Sequence, residues 1–532
     1  MKVFTAAQMR EFDRAATEEY SIPSIVLMEN AALRVVEFLE MKFAPLKDKR
    51  IVVLCGKGNN GGDGFAIARH LNNAGCNARV YVVAKSDEFK GDALTNLKTV
   101  KAAIFSQQIC FDLFHSNRNQ IPTAWEESDL ILDTLLGTGF NGEVRGDDLQ
   151  ATLHYLQHTH IPIVSIDIPS GLESNSGEST GASVIANYTV TFVAPKRGMF
   201  VRNGVEQCGE IWVGDIGTSP ELMNKGYTGC ECITRDKAHR LLPRRTLNAH
   251  KGDAGRVLLI GGSTGMSGAP TLAAKAVLKS GAGLCIAALP DKIISTFAAA
   301  FSEATSHPLI CTEAGVLLEE SADELPALWK NAHAVALGPG IGRDASTLNF
   351  VRRVVRECPQ PLIIDADALY ALRAIESDLK NREAATILTP HPGEMGELMA
   401  MSTPEVNDNR IETAIACAQK YNAIVVLKGA RSVVALPDGS THINLTGNAG
   451  MATGGSGDVL TGTIAGLLAQ TKDSQTATLL GVYLHGMAGD LAFESLGNGL
   501  IAGDIADNIP RALVELAKPI EPPTNARLRK LE

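Results

Sequence analysis

Aromatic residues make up only 5% of this 532-residue chain, which leaves little for the stacking platforms that single-stranded nucleic acid requires. An excess of positive charge is also absent. Lysine and arginine number 49 against 59 aspartates and glutamates, a formal charge of -10, so a basic footprint for DNA or an acidic membrane is disfavoured while a small anionic ligand is not. Nowhere do about 18 apolar residues run together, and the N-terminus MKVFTAAQMREFDRAATEE carries charges where a signal peptide needs an apolar stretch. Export and membrane insertion are both unsupported. The one close cysteine pair, Cys230 and Cys232, lacks a second pair at metal-ligand spacing, which argues against zinc and a disulfide framework and for a reducing cytoplasm. No G-x-x-x-x-G-K-[ST] string occurs, so any phosphate cradle must be of another kind.

What is present is a globular composition, 45% hydrophobic and 20% charged, in a chain too long for one ordinary core. Two domains are expected. Thr5 and Gln8 have capping-box spacing ahead of a helix to about Tyr20, and a second helix follows Pro23. From Ile51 short apolar runs alternate with helical patterns: IVVLC (51–55), RVYVVA (79–84), LILD (130–133), IVSID (163–167) and VTFVA (190–194). That rhythm predicts a parallel sheet. The stretch Gly214 to Cys232 is rich in Gly, Ser, Thr and Pro and reads as a linker, dividing a domain 1–225 from a domain 235–515. The second series comprises RVLLIGG (256–262), GLCIAAL (283–289), AVALGPG (334–340), PLIIDADAL (361–369) and AIVVLKG (423–429), then two strands around a Pro-Asp-Gly turn in SVVALPDGSTHINL.

The first strand runs into GKGNNGGDG (56–64), whose glycines allow close backbone approach to a phosphate or merely turn a corner. A second glycine loop, GTGFNGE (137–143), follows Asp133, and Asp167 and Ser170 lie in IDIPSG after another strand. Strand C-terminal ends share one crevice in an open α/β sheet, so these segments converge on a ligand. An Asp in that place also commonly caps the next helix.

MENAA (28–32), GKGNNGGDG, LDTLLGTG (132–139) and DIPSG (167–171) resemble the NAD(P)H-hydrate epimerase family, the YjeF N-terminal domains, over roughly residues 1–225. The resemblance implies a Rossmann-like α/β/α sandwich that interconverts the R and S forms of hydrated NADH and NADPH. It implies that Asn60, Asp133 and Ser170 ligate potassium, and that Asp167 is the ionisable catalytic residue and contacts substrate. Asn59, Asn60, Gly61, Gly62 and Asp63, with Gly137, Thr138, Gly139, Phe140, Asn141, Gly142 and Glu143, would hold that substrate.

In the second half GGSGD (454–458) precedes an apolar helix, so backbone amides and the helix dipole form an anion hole with Asp458 beside it. A carboxylate there can take the proton of a hydroxyl attacking a γ-phosphoryl group. The same glycines and acid could serve only as a helix start, and His391 in TPHPGE could instead be a helix-start residue braced by Pro390 and Pro392. The stretch TATLLGVYLHGMAGDLAF (476–493), with His485 and Asp490, reads as core with polar edges and not as a metal site.

HKGDAGRVLLIGGSTGMSGAP (250–270), LGPGIG (337–342), LTPHPGE (388–394), VVLKGARS (425–432) and GGSGD are similar to the ribokinase-like ADP- or ATP-dependent NAD(P)H-hydrate dehydratases, over roughly 235–515. By that resemblance Ala269, Gly340, His391 and Asp458 contact the hydrated cofactor, with Asp458 catalytic. Lys428, Gly429, Ala430, Arg431, Ser432 and Gly457 contact ADP or ATP, and magnesium accompanies its phosphates. The implied function is repair of NADHX and NADPHX, with no nucleic-acid or membrane partner and with homo-oligomerisation left open. Two other readings stay open on the residues: a ribokinase-like vitamin or sugar kinase with an N-terminal nucleotide-binding module, and an N-terminal interaction module attached to an enzyme.

Overall fold

The computed structural model describes residues 1–84, 88–105, 110–114, 122–225, 229–519 and 527–532. Among these the chain forms two compact units, residues 1–225 with 527–531, and residues 229–519 with Glu532.

In the first unit Thr5 caps the helix Ala6–Glu18, accepting from the Gln8 amide at 3.2 Å while its own amide donates to Gln8 Oε1 at 2.8 Å. The second helix runs Ser24–Phe43. The strands are β1 (Ile51–Cys55), β2 (Ala78–Val82), β3 (Cys110–Leu113), β4 (Leu130–Thr134), β5 (Ile163–Ile166), β6 (Tyr188–Phe192) and β7 (Glu210–Gly214). They lie in the order β7-β6-β5-β4-β1-β2-β3, all parallel, and the C-terminal strand Leu528–Lys530 adds antiparallel to β7. Successive residues of β1 face opposite ways: Ile51, Val53 and Cys55 enter one buried cluster with Phe38 and Phe65, and Val52 and Leu54 another with Trp125 and Leu153. Both faces are therefore covered, which is why the strand is continuously apolar.

The second unit carries β8 (Cys230–Ile233), β9 (Arg256–Ile260), β10 (Leu284–Pro290), β11 (Thr305–Leu309), β12 (Ala334–Leu337), β13 (Leu362–Ile364), β14 (Thr386–Leu388), β15 (Ile424–Leu427), β16 (Val433–Ala435) and β17 (Thr441–Asn444). Their order is β11-β10-β9-β12-β13-β14-β15-β16-β17-β8, parallel except where β16 pairs antiparallel with β15 and β17. Both units are thus α/β with parallel-dominated sheets. The hairpin expected around Pro437, Asp438 and Gly439 is β16–β17.

The linker expected over Gly214–Cys232 is corrected at both ends. Gly214 closes β7, and Cys230–Cys232 belongs to β8, which pairs with Thr441–Asn444; residues 226–228 lie outside the described ones. Polar, glycine-rich composition hid a short edge strand whose partner lies about two hundred residues away. Among the described residues no helix is long and apolar enough to cross a membrane.

Candidate active sites

In the first unit the helix Asn59–Asn73 begins straight after β1, with Gly58 as its N-cap and no side-chain cap, so its first amides are available to a ligand. Gly61 serves close packing: a Cβ there would fall 1.8 Å from the Gly56 carbonyl oxygen. The corner reading of the glycines and the ligand reading are therefore both physical, since tight packing is what brings the helix start to the sheet edge.

Asn60 is buried and donates through Nδ2 to the Leu136 carbonyl at 2.6 Å, leaving Oδ1 buried without a partner. Asp133, fully buried at the end of β4, accepts from Ser170 Oγ at 2.5 Å, the Ser170 amide at 2.9 Å, Ser165 Oγ at 2.8 Å and the Leu135 amide at 3.3 Å. It binds Ser165 of β5 and groups of the loops that follow β4 and β5, and does not cap a helix. Burial raises its carboxyl, against these bonds. Ser170 Oγ also meets the Leu136 amide at 2.8 Å. The three residues thus join around Leu136, and the orphaned Asn60 oxygen is the kind of group that a hard monovalent cation satisfies.

Gly137 sits over this group: a Cβ on it would lie 3.2 Å from Asn60 Cβ and 3.8 Å from Asp167 Oδ2. The rest of that loop fans outward. Thr138 and Phe140 are half-buried, whereas Gly139, Asn141, Gly142 and Glu143 are exposed. Asn30 of MENAA binds the Ile216 carbonyl at 2.8 Å, a structural tie. Asp167 follows β5 with φ +67°, a left-handed conformation that Asp tolerates better than most residues. Its Oδ1 pairs with the buried Lys196 ammonium and accepts from Thr191 Oγ1 at 3.3 Å. Asp63 is pushed well above the usual carboxylate range by burial, then by Asp167 and Asp13, with Lys196 opposing. Asp13, on the first helix, rises to about 6 from burial and Asp167; its side chain reaches solvent, so its lift is the weaker of the two.

In the second unit the site again gathers at the C-terminal strand ends. Gly340, after β12, has φ +66°, and a Cβ there would lie 2.7 Å from the Met266 carbonyl and 3.0 Å from Ala269 Cβ, so Gly340 and Ala269 are neighbours. Asp458 lies in the first turn of the helix Ser456–Thr471, whose N-cap Gly455 (φ +89°) offers no side chain to the free amides. A Cβ on Gly455 would lie 3.9 Å from Asp458 Oδ2 and 2.6 Å from Leu272, on the helix that carries Ala269. Burial raises the Asp458 carboxyl to about 7, helped by Asp365 and opposed by Lys428.

Lys428, after β15, donates to Asp365 Oδ1 at 2.8 Å and stands 3.6 Å from Glu394 Oε2; Thr461 Oγ1 donates to Asp365 Oδ2 at 2.7 Å. A Cβ on Gly457 would lie 3.3 Å from the Lys428 ammonium and 3.8 Å from Asp365 Oδ2. The loop Gly429–Ser432 is braced from below by Arg410, which donates to the carbonyls of Leu427 at 3.2 Å and Lys428 at 3.1 Å. Within it, Ser432 Oγ donates to the Gly429 carbonyl at 3.0 Å, Gly429 and Ala430 are exposed, and Arg431 bonds the Leu445 carbonyl. His391 stands at a helix start, as the N-cap of Pro392–Met399: Nδ1 accepts from the amides of Gly393 at 3.0 Å and Glu394 at 3.2 Å, and its ring remains half-exposed toward solvent. His485 and Asp490 are more than polar edges of a core helix. His485 Nε2 donates to the Ser456 carbonyl at 2.9 Å, and Asp490 accepts from the Gly447 amide at 2.9 Å and Asn448 Nδ2 at 2.8 Å, so this helix holds both glycine loops.

The chain is 41% identical over 523 residues to a bifunctional NAD(P)H-hydrate repair enzyme of Moorella thermoacetica, with 98% of each chain covered. The chain belongs to the bifunctional NAD(P)H-hydrate repair enzymes. A second member of the family, from Thermofilum pendens, is 36% identical, again with 98% of each chain covered. The family model for the YjeF-related protein N-terminus matches residues 24–198, and that for NAD(P)H-hydrate dehydratase matches residues 257–511. A solved ADP/ATP-dependent NAD(P)H-hydrate dehydratase from Bacillus subtilis, co-crystallised with ATP and Mg2+, is 32% identical and covers 54% of this chain and 98% of that one, with a TM-score of 0.47.

Within this family framework, reading the motifs alone passed over Lys196, Asp365, Glu394, Thr461 and Arg410. Two of them carried a sequence signal: Lys196 stands two residues past the apolar run VTFVA, after Pro195, and Asp365 ends PLIID. A charge at the end of a buried strand must find a partner of opposite sign.

Proposed function

We propose that the first unit interconverts the R and S forms of hydrated NADH and NADPH and that the second dehydrates the S form with ADP or ATP. The observation that carries the dehydratase half is Asp458: a carboxyl raised to about 7, in the uncapped first turn of a helix, under the charge of the half-buried Lys428. A base works best when its pKa lies near the working pH. Asp458 takes the proton of the substrate hydroxyl as its oxygen attacks the terminal phosphoryl group of ADP or ATP, the phosphoanhydride bond breaks to release AMP or ADP, and the amides after Gly455 stabilise charge on the phosphate. The C–O bond then breaks with phosphate leaving in place of hydroxide, the adjacent ring carbon gives up its proton to water, and the double bond of NAD(P)H re-forms. Ala269, Gly340 and His391 bind the hydrate, and Lys428 to Ser432 with Gly457 bind the nucleotide. Magnesium would enter with the nucleotide and screen its phosphates.

In the first unit Asn60, Asp133 and Ser170 would hold potassium, and the unpartnered Asn60 Oδ1 supports that assignment. When bound, the ion supplies a fixed positive charge beside the substrate loop. Asn59 to Asp63 and Gly137 to Glu143 position the hydrate, and Asp167 acts at the hydroxyl-bearing carbon. Nine described cysteines are free thiols, which suits a cytoplasmic setting.

The test is direct. Purified protein is mixed with R and S hydrated NADH, magnesium, potassium and ADP or ATP, while NADH absorbance, R/S composition and free phosphate are followed. Both epimers should be consumed, with NADH and phosphate appearing together. A stable phosphorylated product without NADH would replace this reading with a small-molecule kinase.

A further inference from the structure

Lys196 is a buried cation in the first unit to which the proposed chemistry gives no task. It follows β6, its side chain is 1% exposed, and a buried ammonium persists only where anions and acceptors surround it. Its three donors are all engaged: Asp167 Oδ1, Thr191 Oγ1 at 2.7 Å and the Phe192 carbonyl at 3.3 Å. Thr191 Oγ1 donates in turn to Asp167 Oδ1 at 3.3 Å. That oxygen is therefore fixed from two directions, and the Asp167 amide is held by the Val190 carbonyl at 2.8 Å. The other carboxylate oxygen, Oδ2, faces Gly137 at the start of the proposed substrate loop.

The charged groups around this point are Asp167 after β5, Lys196 after β6, Asp63 on the helix Asn59–Asn73 and Asp13 on the helix Ala6–Glu18. Three carboxyl groups lie within electrostatic reach of one ammonium, and Asp167 is the one paired with it. Lys196 pulls down the carboxyls of Asp13 and Asp63, which burial and Asp167 push up.

We infer that Lys196 is a positioning residue for epimerisation: clamped by Thr191, it anchors one oxygen of Asp167 and thereby presents the other to the hydrate. The inference rests on the epimerase reading of the first unit. A lysine acting in this way makes its contribution through Asp167, so removing it should impair turnover more than binding, and adding back a cation should restore part of the loss.

The experiment uses the full chain with R-hydrated NADH and potassium, measuring epimerisation kcat and KM across pH for wild type, Lys196→Gln, Lys196→Arg and Thr191→Val. Lys196→Gln should lower kcat by about 100-fold with little change in KM, and the acid limb of its profile should move to higher pH. Lys196→Arg should recover part of kcat and return the limb toward its original place. Thr191→Val, which keeps the shape and loses the clamp, should show a smaller loss in the same direction, and it keeps the test open if Lys196→Gln fails to fold. A wild-type kcat and profile in Lys196→Gln or Thr191→Val, or a loss confined to KM, overturns the role of Lys196 while the epimerase reading stands. Wild-type protein that leaves both epimers unchanged overturns the epimerase reading itself, and the role of Lys196 with it.

Discussion

Asp458 combines two properties that oppose each other in the folded chain, the role of base proposed for it and a place where a charge is costly. Its carboxyl rises from an ordinary 3.8 to about 7, chiefly through burial. The folded state therefore holds a proton that the unfolded state releases between those values, and stability falls as pH rises through that window. Asp458→Asn should abolish dehydration, by about 1000-fold, and leave epimerisation intact. At pH 8 the same variant should be more stable by on the order of 1 kcal/mol, discounted for its partial exposure, about 2 °C in Tm for a unit of this size. Thermal denaturation at pH 8 checks this, and a lower Tm would show that the carboxylate is not held at a cost. Wild-type dehydration should decline below about pH 7 as Asp458 takes up its proton. Asn60 makes the complementary case, because its buried Oδ1 has no hydrogen-bond partner among the described residues. Asn60→Ala should erase the dependence of epimerisation on potassium; a potassium titration matching wild type would remove Asn60 from the ligand set.

At the scale of elements, the helix Ser474–Leu496 reads from sequence as core, and so most of it is buried. Its function lies in two polar side chains that reach back to the glycine loops, His485 to Ser456 and Asp490 to Gly447 and Asn448. Burial lowers the His485 imidazole to about 4, below its ordinary 6.5. The stability it contributes is thus complete above pH 6.5 and is lost as pH falls toward 4. The Tm difference between wild type and His485→Gln should accordingly shrink from pH 7 to pH 5; a constant difference would place the proton elsewhere. Thr461→Val tests the neighbouring element, since it leaves Asp365 Oδ2 without its buried donor and should cost about 1 to 3 kcal/mol, read by chemical denaturation. The same elements explain what sequence could and could not disclose. β1, β4, β9 and β12 were legible because both sheet faces are covered, which writes their burial into unbroken apolar runs. β8 and the strand Leu528–Lys530 were not, because each is a short edge strand defined by a partner remote in sequence, β17 and β7. Glycine loops announced the candidate sites at Asn59–Asp63 and Gly454–Asp458, whereas Lys196 and Asp365 acquire their meaning only when distant strand ends are brought side by side.

For the whole molecule, two α/β units on one chain carry two sites, each at the C-terminal ends of its own parallel strands. If epimerisation feeds dehydration, the R hydrate must pass through the first site before the second can use it, whereas the S hydrate needs only the second. Asp167→Ala should therefore consume the S portion of a mixture and stop, leaving R behind. Asp458→Ala should convert R and S toward equilibrium and yield no NADH. The S hydrate released by one protein is chemically the same molecule that another would bind, so mixing equal amounts of the two variants should restore complete conversion of both epimers to NADH. Chromatographic R/S analysis with NADH absorbance checks each arm. Complementation at a rate that rises with protein concentration means that the intermediate passes through solution. Failure of the mixture, with each variant retaining its single activity, would mean that the S hydrate reaches the dehydratase site only within one chain.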